Sequence, residues 1–454
     1  MERYCVVLFF LALLVSGPAI AQRQIQIAPP YTTLKTFESP DLVALSQSQS
    51  EEYPAQYELQ QQLEQGRYQQ AQKTAIQILN DVEKTDGVTA EQHISALVNL
   101  ATVNYFSQDY VASENSYRKA LAIITTSNNV RDNRLIRPLY GLGLAQYAAG
   151  HYSDAALSLE RAIFVTRTNL GLKSVEQLTM VGALIECHLA LGDHAEVARL
   201  QRKAVVIAER GYGPTSAEFS HELQQAGELY RRIGNYAEEI KIHRQRFALI
   251  KAAEGEQSLA LIPVLLALAK ASTNDLRQGF DVYQPLLDAE DIAQANSNTP
   301  IPLQAEVWVA LGDFSLLYGR RLSARNYYLK TYKILTDSGD TQLRKKLLET
   351  TPKLFLPDPP PPGKRDKLAT PVAWPSGEMV LNFDIDERGR PNGIQIQQFS
   401  PDNSLIEQQW KPQILQAFRY AFFRPLVTST GLKRQANTRY VYQFRYQPAE
   451  EGAD

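Results

Sequence analysis

The chain runs to 454 residues, with 47 Lys and Arg set against 49 Asp and Glu for a formal net charge of −2. That length exceeds what one hydrophobic core usually serves, so several domains or a repeat array are expected. The balanced charge argues against nucleic acid as the main partner, which usually demands a basic surface, and leaves room for a local basic patch.

In chain order, Arg3 precedes an apolar run from Cys5 to Val15, followed by Ser16-Gly17-Pro18-Ala19-Ile20-Ala21. Ala19 and Ala21 are the small residues that a signal peptidase needs, which predicts residues 1–21 as a signal peptide cut between Ala21 and Gln22. A retained membrane anchor is the alternative, although the run is short for a span of roughly 20 residues. After cleavage no stretch is apolar enough to span a membrane. Residues 22–52, rich in Gln, Ser and Pro, are expected to be disordered and could themselves act as a ligand. Cys187 is the sole cysteine of the mature chain, which leaves no internal disulfide, and its apolar surroundings predict a buried thiol.

From residue 53 a pattern repeats. A turn, an aromatic or His, and a small residue recur through LEQGRYQQAQKTAI, SQDYVASENSYRKAL, AAGHYSDAALSLERAI, ALGDHAEVARLQRKA and RIGNYAEEIKIHRQR. The equivalent position falls at Ala71, Ser113, Ala155, Val197 and Glu239, each 42 residues after the last. Two looser copies follow, one around Asn274, Leu276, Gly279 and Tyr283, the other around Trp308, Gly312, Gly319, Ala324 and Tyr328. Apolar residues at helical spacing flank each turn, as in Leu97, Leu100, Ala101 and Tyr105 before it and Ala155, Leu159, Ala162 and Ile163 after it. Small residues at Ala101, Gly143, Gly227 and Gly312 are expected to let paired helices approach closely. A single helical pair cannot bury its apolar face alone, so neighbours should stack into a superhelix over residues 53–350.

These motifs resemble the tetratricopeptide repeat family, in the long-helix form of kinesin light chains, over about two thirds of the chain. The resemblance implies an α-solenoid of about seven helix pairs whose concave groove, lined by the first helix of each pair, binds protein segments. Projecting the register onto that groove selects Val98, Thr102, Tyr105 and Phe106, then Tyr140, Leu144 and Tyr147, then Glu186, and finally Gln224, Glu228 and Arg231. An aromatic stretch followed by a polar one suits an extended peptide or a partner helix. Packing between helices is the competing reading for each of these residues.

Residues 351–375 read as a Pro-rich linker, with the run Pro359 to Pro362 extended as polyproline. Beyond it the hydrophobic period changes to two. Met379, Leu381, Phe383 and Ile385 alternate with polar residues as a strand, Asp386 to Gly389 turns the chain, and Ile394 and Ile396 fall on a second strand. Ser404 to Glu407 reads as a capping box opening a helix, and Pro412 is expected to kink that helix or to mark its true start. A last strand carries Thr438, Tyr440, Tyr442, Phe444 and Tyr446 on one face, which completes a ββαβ order over residues 376–447 ahead of a short tail, 448–454.

The GEMVLNFDIDERGRP hairpin, the AFFRP segment with Phe423 and Pro425, Gly431 and the final strand resemble the C-terminal domain of TonB, the periplasmic energy transducer of Gram-negative bacteria. That resemblance implies a periplasmic location and a small α+β domain. It also implies that Thr438, Tyr440, Tyr442, Phe444 and Tyr446 form an edge able to pair with a segment of an outer-membrane transporter. A self-capped edge is the alternative. The chain departs from the family in running almost directly from Trp374-Pro375 into the first strand. It also has no His before His93, where a proton-motive transducer carries one in its membrane helix.

Catalytic patterns are missing. The six histidines lie at 93, 151, 188, 194, 221 and 243, and His188 and His194 are too far apart in register to share a helix face as metal ligands. HExxH, GxSxG and phosphate-loop motifs do not occur. The sequence therefore predicts a non-enzymatic periplasmic adaptor without a cofactor or metal. Its partners would be proteins or peptides, and outer-membrane transporters or other components of the TonB system are the candidates. An accessory of TonB-dependent transport is the alternative.

Overall fold

A computed structural model describes residues 54–126, 129–274, 282–357 and 375–446. The signal peptide with Ala21 and Gln22, the N-terminal segment, the polyproline run, and Leu276 and Gly279 of the sixth copy lie outside these residues. Among the described residues no helix is long and apolar enough to cross a membrane.

Seven antiparallel helix pairs follow one another: α1 (Pro54–Glu64) with α2 (Tyr68–Lys84), α3 (Ala90–Phe106) with α4 (Tyr110–Thr125), and α5 (Ile136–Ala148) with α6 (Tyr152–Leu170). Then come α7 (Gln177–Leu191) with α8 (His194–Tyr212), α9 (Ala217–Arg232) with α10 (Tyr236–Glu254), α11 (Leu261–Asn274) with α12 (Tyr283–Ala295), and α13 (Ile301–Leu317) with α14 (Arg321–Asp337). A short helix, α15 (Thr341–Leu348), closes the array.

The 42-residue register is a burial register. Ala71, Ser113, Ala155, Val197 and Glu239 are all 0% exposed, and Ala324 holds the same place in the seventh pair. The close-approach positions are equally regular. A Cβ on Gly143 would stand 2.7 Å from Leu159, one on Gly227 2.6 Å from the His243 ring, and one on Gly312 2.6 Å from Tyr328. These glycines let the two helices of the third, fifth and seventh pairs approach closely. Between helices the turn residues at 66, 150, 192 and 234 are glycines with positive φ, and the second pair fills that position with Gln108 at φ 64°.

First helices of successive pairs touch one another, α3 with α5, α5 with α7 and α11 with α13, whereas second helices meet their successors more sparsely. The first helices therefore form the inner layer and the second helices fan outward.

The C-terminal unit is a three-stranded antiparallel sheet in the order β3-β2-β7, built from β2 (Ser376–Ile385), β3 (Pro391–Ser400) and β7 (Gln435–Arg445). One face is covered by α16 (Ser404–Arg419). Met379, Leu381, Phe383 and Ile385 are buried against Ile414, Phe418 and Phe423, as the period-two reading requires. Val380, on the opposite face, is buried as well.

Three expectations need correction here. Asn403, not Ser404, caps α16, because its side chain accepts from the backbone N–H groups of Leu405 and Ile406. Pro412 does not mark the start of the helix, one of the two alternatives for it, because it sits inside a helix that already starts at Ser404. The linker begins later than expected: Lys353–Phe355 form β1, which pairs antiparallel with β4 (Phe422–Phe423) and so joins the end of the solenoid to the sheet unit. A small hairpin of β5 (Leu426–Thr428) and β6 (Gly431–Lys433) packs on α14.

Candidate functional site

The inner layer is where a solenoid presents a binding surface, yet its middle helices leave little of themselves exposed. Ala96 to Asn104 of α3 and Gly141 to Gln146 of α5 are buried without interruption. Val98, Thr102 and Leu144, projected onto the groove, are therefore packing residues. Thr102 is fully buried and its hydroxyl hydrogen-bonds the Tyr117 hydroxyl across the pair at 2.9 Å. The physical reason is that an inner helix here meets its own partner, the preceding second helix and the neighbouring inner helices, so fewer of its faces stay open.

Three of the half-buried aromatics, Tyr105, Phe106 and Tyr147, lie at the C-terminal ends of these helices, and Tyr140 lies in the first half of α5. Tyr105 and Phe106 meet edge to face at 5.7 Å, and Phe106 stacks on Tyr68 of the first pair at 5.9 Å. Tyr140 and Tyr147 pack against the main core while keeping part of their surface open. Burial, then the nearby Glu186 carboxylate, pushes the Tyr147 hydroxyl up to about 12. Cys187 is fully buried, and burial followed by Glu186 raises its thiol to about 12, which keeps it a thiol at neutral pH.

The array opens at its fourth and fifth pairs. A cleft of about 40 Å³ runs between α7, α8 and α9, with Leu178, Gly182, Ile185, Ala204 and Leu229 as apolar lining and Glu186, Gln201, Glu222, Gln225 and Glu228 as polar lining. Glu186 is tied to Arg232 by two parallel hydrogen bonds of 3.1 and 3.2 Å, so its charge is spent inside the fold. Gln224 donates to Glu228 at 3.3 Å, one turn along α9. Arg231 is half-buried and does not line the cleft. Of the projected residues the structure thus gathers Glu186 and Glu228, with Gln224 beside them. It adds Gln225 and Glu222, which the register alone did not select. A cleft this small holds a few waters or one side-chain tip, not a small molecule.

The second candidate is the sheet edge. β7 pairs with β2 on one side, and no strand pairs with its other side among the described residues. The side chains expected to form a partner surface are not on it. Thr438, Tyr440 and Phe444 are buried, and Tyr440 and Phe444 pack under α16 against Phe418 and Trp410. Tyr442 lies against the same Phe418 ring at 6.3 Å, and Tyr446, at the end of the row, lies tilted against Phe444. What the edge offers is backbone, because a strand turned to bury one face presents its N–H and C=O groups sideways.

The sequence reading missed the contact that fixes the two units together. Arg424, in the AFFRP segment, is buried and reaches Asp313 at the end of α13 with two hydrogen bonds, one of them 2.6 Å from Nε. The same guanidinium donates to the Leu347 carbonyl and lies 6.0 Å from the Tyr328 ring, while the Tyr328 hydroxyl donates to Asp313 at 2.7 Å. Burial opposes the charge on Arg424, but Asp313 outweighs it and holds the guanidinium pKa above its usual value. An Arg beside Pro in an apolar segment was the available signal.

Among the described residues no group of three or more His, Cys, Asp or Glu side chains is placed to hold a metal ion.

One family model agrees with the repeat architecture. The tetratricopeptide repeat family model matches residues 92–163. Among solved structures, the chain is similar to nearly identical TPR-like repeats of a candidate kinesin light chain from Podosopora anserina, at 16% identity over 46% of this chain and 99% of that one, with a TM-score of 0.40. BtubC (BKLC) from P. vanneervenii is 17% identical over 51% of this chain and 94% of its own, at a TM-score of 0.35. The quorum sensor NprR from B. thuringiensis in its apo form is 10% identical over 67% and 87%, at 0.33. No curated protein matches the sequence.

Proposed function

We propose that this tetratricopeptide-repeat chain is an exported, periplasmic scaffold that holds a segment of a partner protein on the inner layer of its solenoid. The observation that carries the proposal is the opening between α7, α8 and α9, where the inner layer, closed at α3 and α5, offers an apolar cleft rimmed by Glu222, Gln225 and Glu228. A partner segment lying across the inner helices drops one side chain into the cleft. The carboxylates favour a Lys or Arg at that position. Export rests on Arg3, the apolar run after it, and the small residues Ala19 and Ala21.

A photo-crosslinking residue placed at Gln225 in intact Gram-negative cells tests this reading. Discrete protein adducts are expected there and not at Val111, which is 66% exposed on an outer helix. Equal labelling at both positions would sink the groove as the recognition surface.

The accessory role in TonB-dependent transport draws support from the β7 edge, whose outer side carries no strand among the described residues. A transporter segment would add there by main-chain hydrogen bonds. The Tyr446 N–H points towards Pro375 on the β2 side, so by alternation the Val441 N–H points outward. Val441→Pro removes that donor and is expected to abolish such binding, and unchanged binding would reject the edge model.

A further inference from the structure

A second cavity, of about 310 Å³, lies where the solenoid meets the C-terminal unit. Leu266 of α11, Leu286 of α12, Phe314 and Leu317 of α13, and Leu354 of β1 supply apolar wall. Lys270, Lys353 and Arg424 reach it as cations, with Asp313 the sole carboxylate among the lining residues, giving a lining charge of +2 from three cations and one anion.

That anion is already engaged, since Asp313 receives Arg424 and the Tyr328 hydroxyl. Lys270 is not: it forms no ion pair among the described residues. Partial desolvation of its ammonium by the surrounding chain, then repulsion from Arg231, lowers the pKa of this otherwise solvent-open side chain, and Glu239 and Asp313 offset this only in part. Lys270 also keeps an exposed surface, so a ligand entering the cavity can meet it.

We infer that this junction binds an amphiphilic monoanion, a medium-chain carboxylate whose hydrocarbon tail fills the apolar wall and whose head pairs with Lys270. Three features fit that ligand. The volume is at the lower end of small-molecule sites, which run from roughly 300 Å³ upward. Water in a largely apolar cavity has few partners and is readily displaced by a tail. The walls belong to elements pinned by Arg424 and by the β1–β4 pairing, so the cavity is formed before the ligand arrives and little ordering is required on binding. The site is separate from the cleft at α7–α9 and does not depend on the function proposed for it.

The test is calorimetric titration of the full chain with three ten-carbon probes: decanoate, decanol and decyltrimethylammonium. Saturable one-to-one binding of decanoate is expected, at least tenfold tighter than decyltrimethylammonium and tighter than decanol. Lys270→Glu should weaken decanoate at least tenfold and Lys270→Arg should retain it, with helicity unchanged in both because the residue is exposed. Ala310→Leu, which fills the cavity from α13, should weaken all probes. Unsaturable uptake, equal affinity for the cationic probe, or decanoate binding indifferent to Lys270→Glu each overturns the assignment.

Discussion

Two buried pairs of titratable side chains among the described residues are treated in opposite ways. Inside the fifth repeat, Glu239 and His243 are one turn apart on α10, 0% and 4% exposed, with His243 Nε2 3.7 Å from Glu239 Oε1. Neither oxygen of Glu239 has a hydrogen-bond partner among the described residues, nor does His243 Nδ1. At the far end of the seventh repeat, Asp313 and Arg424 are joined by two hydrogen bonds, and their remaining polar atoms reach Tyr328 and the Leu347 carbonyl. The difference teaches what a repeat register does. It assigns burial to a position whatever residue stands there, and whether a charge is then satisfied depends on neighbours outside the register. Ala71 and Ala155 occupy the Glu239 position without difficulty.

The largest effect is expected at the satisfied pair. Arg424→Met keeps the volume but strands Asp313, and losing one partner of a buried pair costs about 3 kcal/mol or more. Chemical denaturation should also lose its single transition as the C-terminal unit comes away from the solenoid. A stability loss under 1 kcal/mol would show that the β1–β4 pairing alone holds the junction. The orphaned pair should respond with the opposite sign. Glu239→Ala restores the residue used in the first and third repeats and relieves an unsatisfied buried carboxylate, for an expected gain of about 1–2 kcal/mol. A loss instead would mean that the 3.7 Å approach of His243 to Glu239 is net favourable. The smallest test concerns the turns. Gln108→Gly puts into the second repeat the residue that its equivalents at 66, 150, 192 and 234 use at positive φ, and it should stabilise by about 0.5–1 kcal/mol in thermal melts.

The parts legible in advance were those governed by short-range periodicity. The constant interval from Ala71 to Glu239 gave the helix pairs, their turns and their close-approach glycines, and the alternation from Met379 to Ile385 gave the first strand of the sheet. The candidate surfaces were less legible. Val98, Thr102 and Leu144 have the spacing of groove residues and also of core residues, because one helix face can be covered from several directions. Tyr440 and Phe444 were placed on the right strand, yet their side chains turn under α16.

The sequence by itself determined that this is a seven-pair helical solenoid with a small α+β unit at its end. Each repeat's contacts reach only to the next, so a local pattern suffices to specify them. Tertiary structure alone decided the rest. It closed the inner layer at α3 and α5 and opened it between α7 and α9, and it drew Lys353–Phe355 out of the linker into a strand. It also brought Arg424 onto Asp313, 111 residues earlier in the chain. Where two such distant residues meet depends on small rotations summed over every intervening helix pair, and no window of sequence contains that sum.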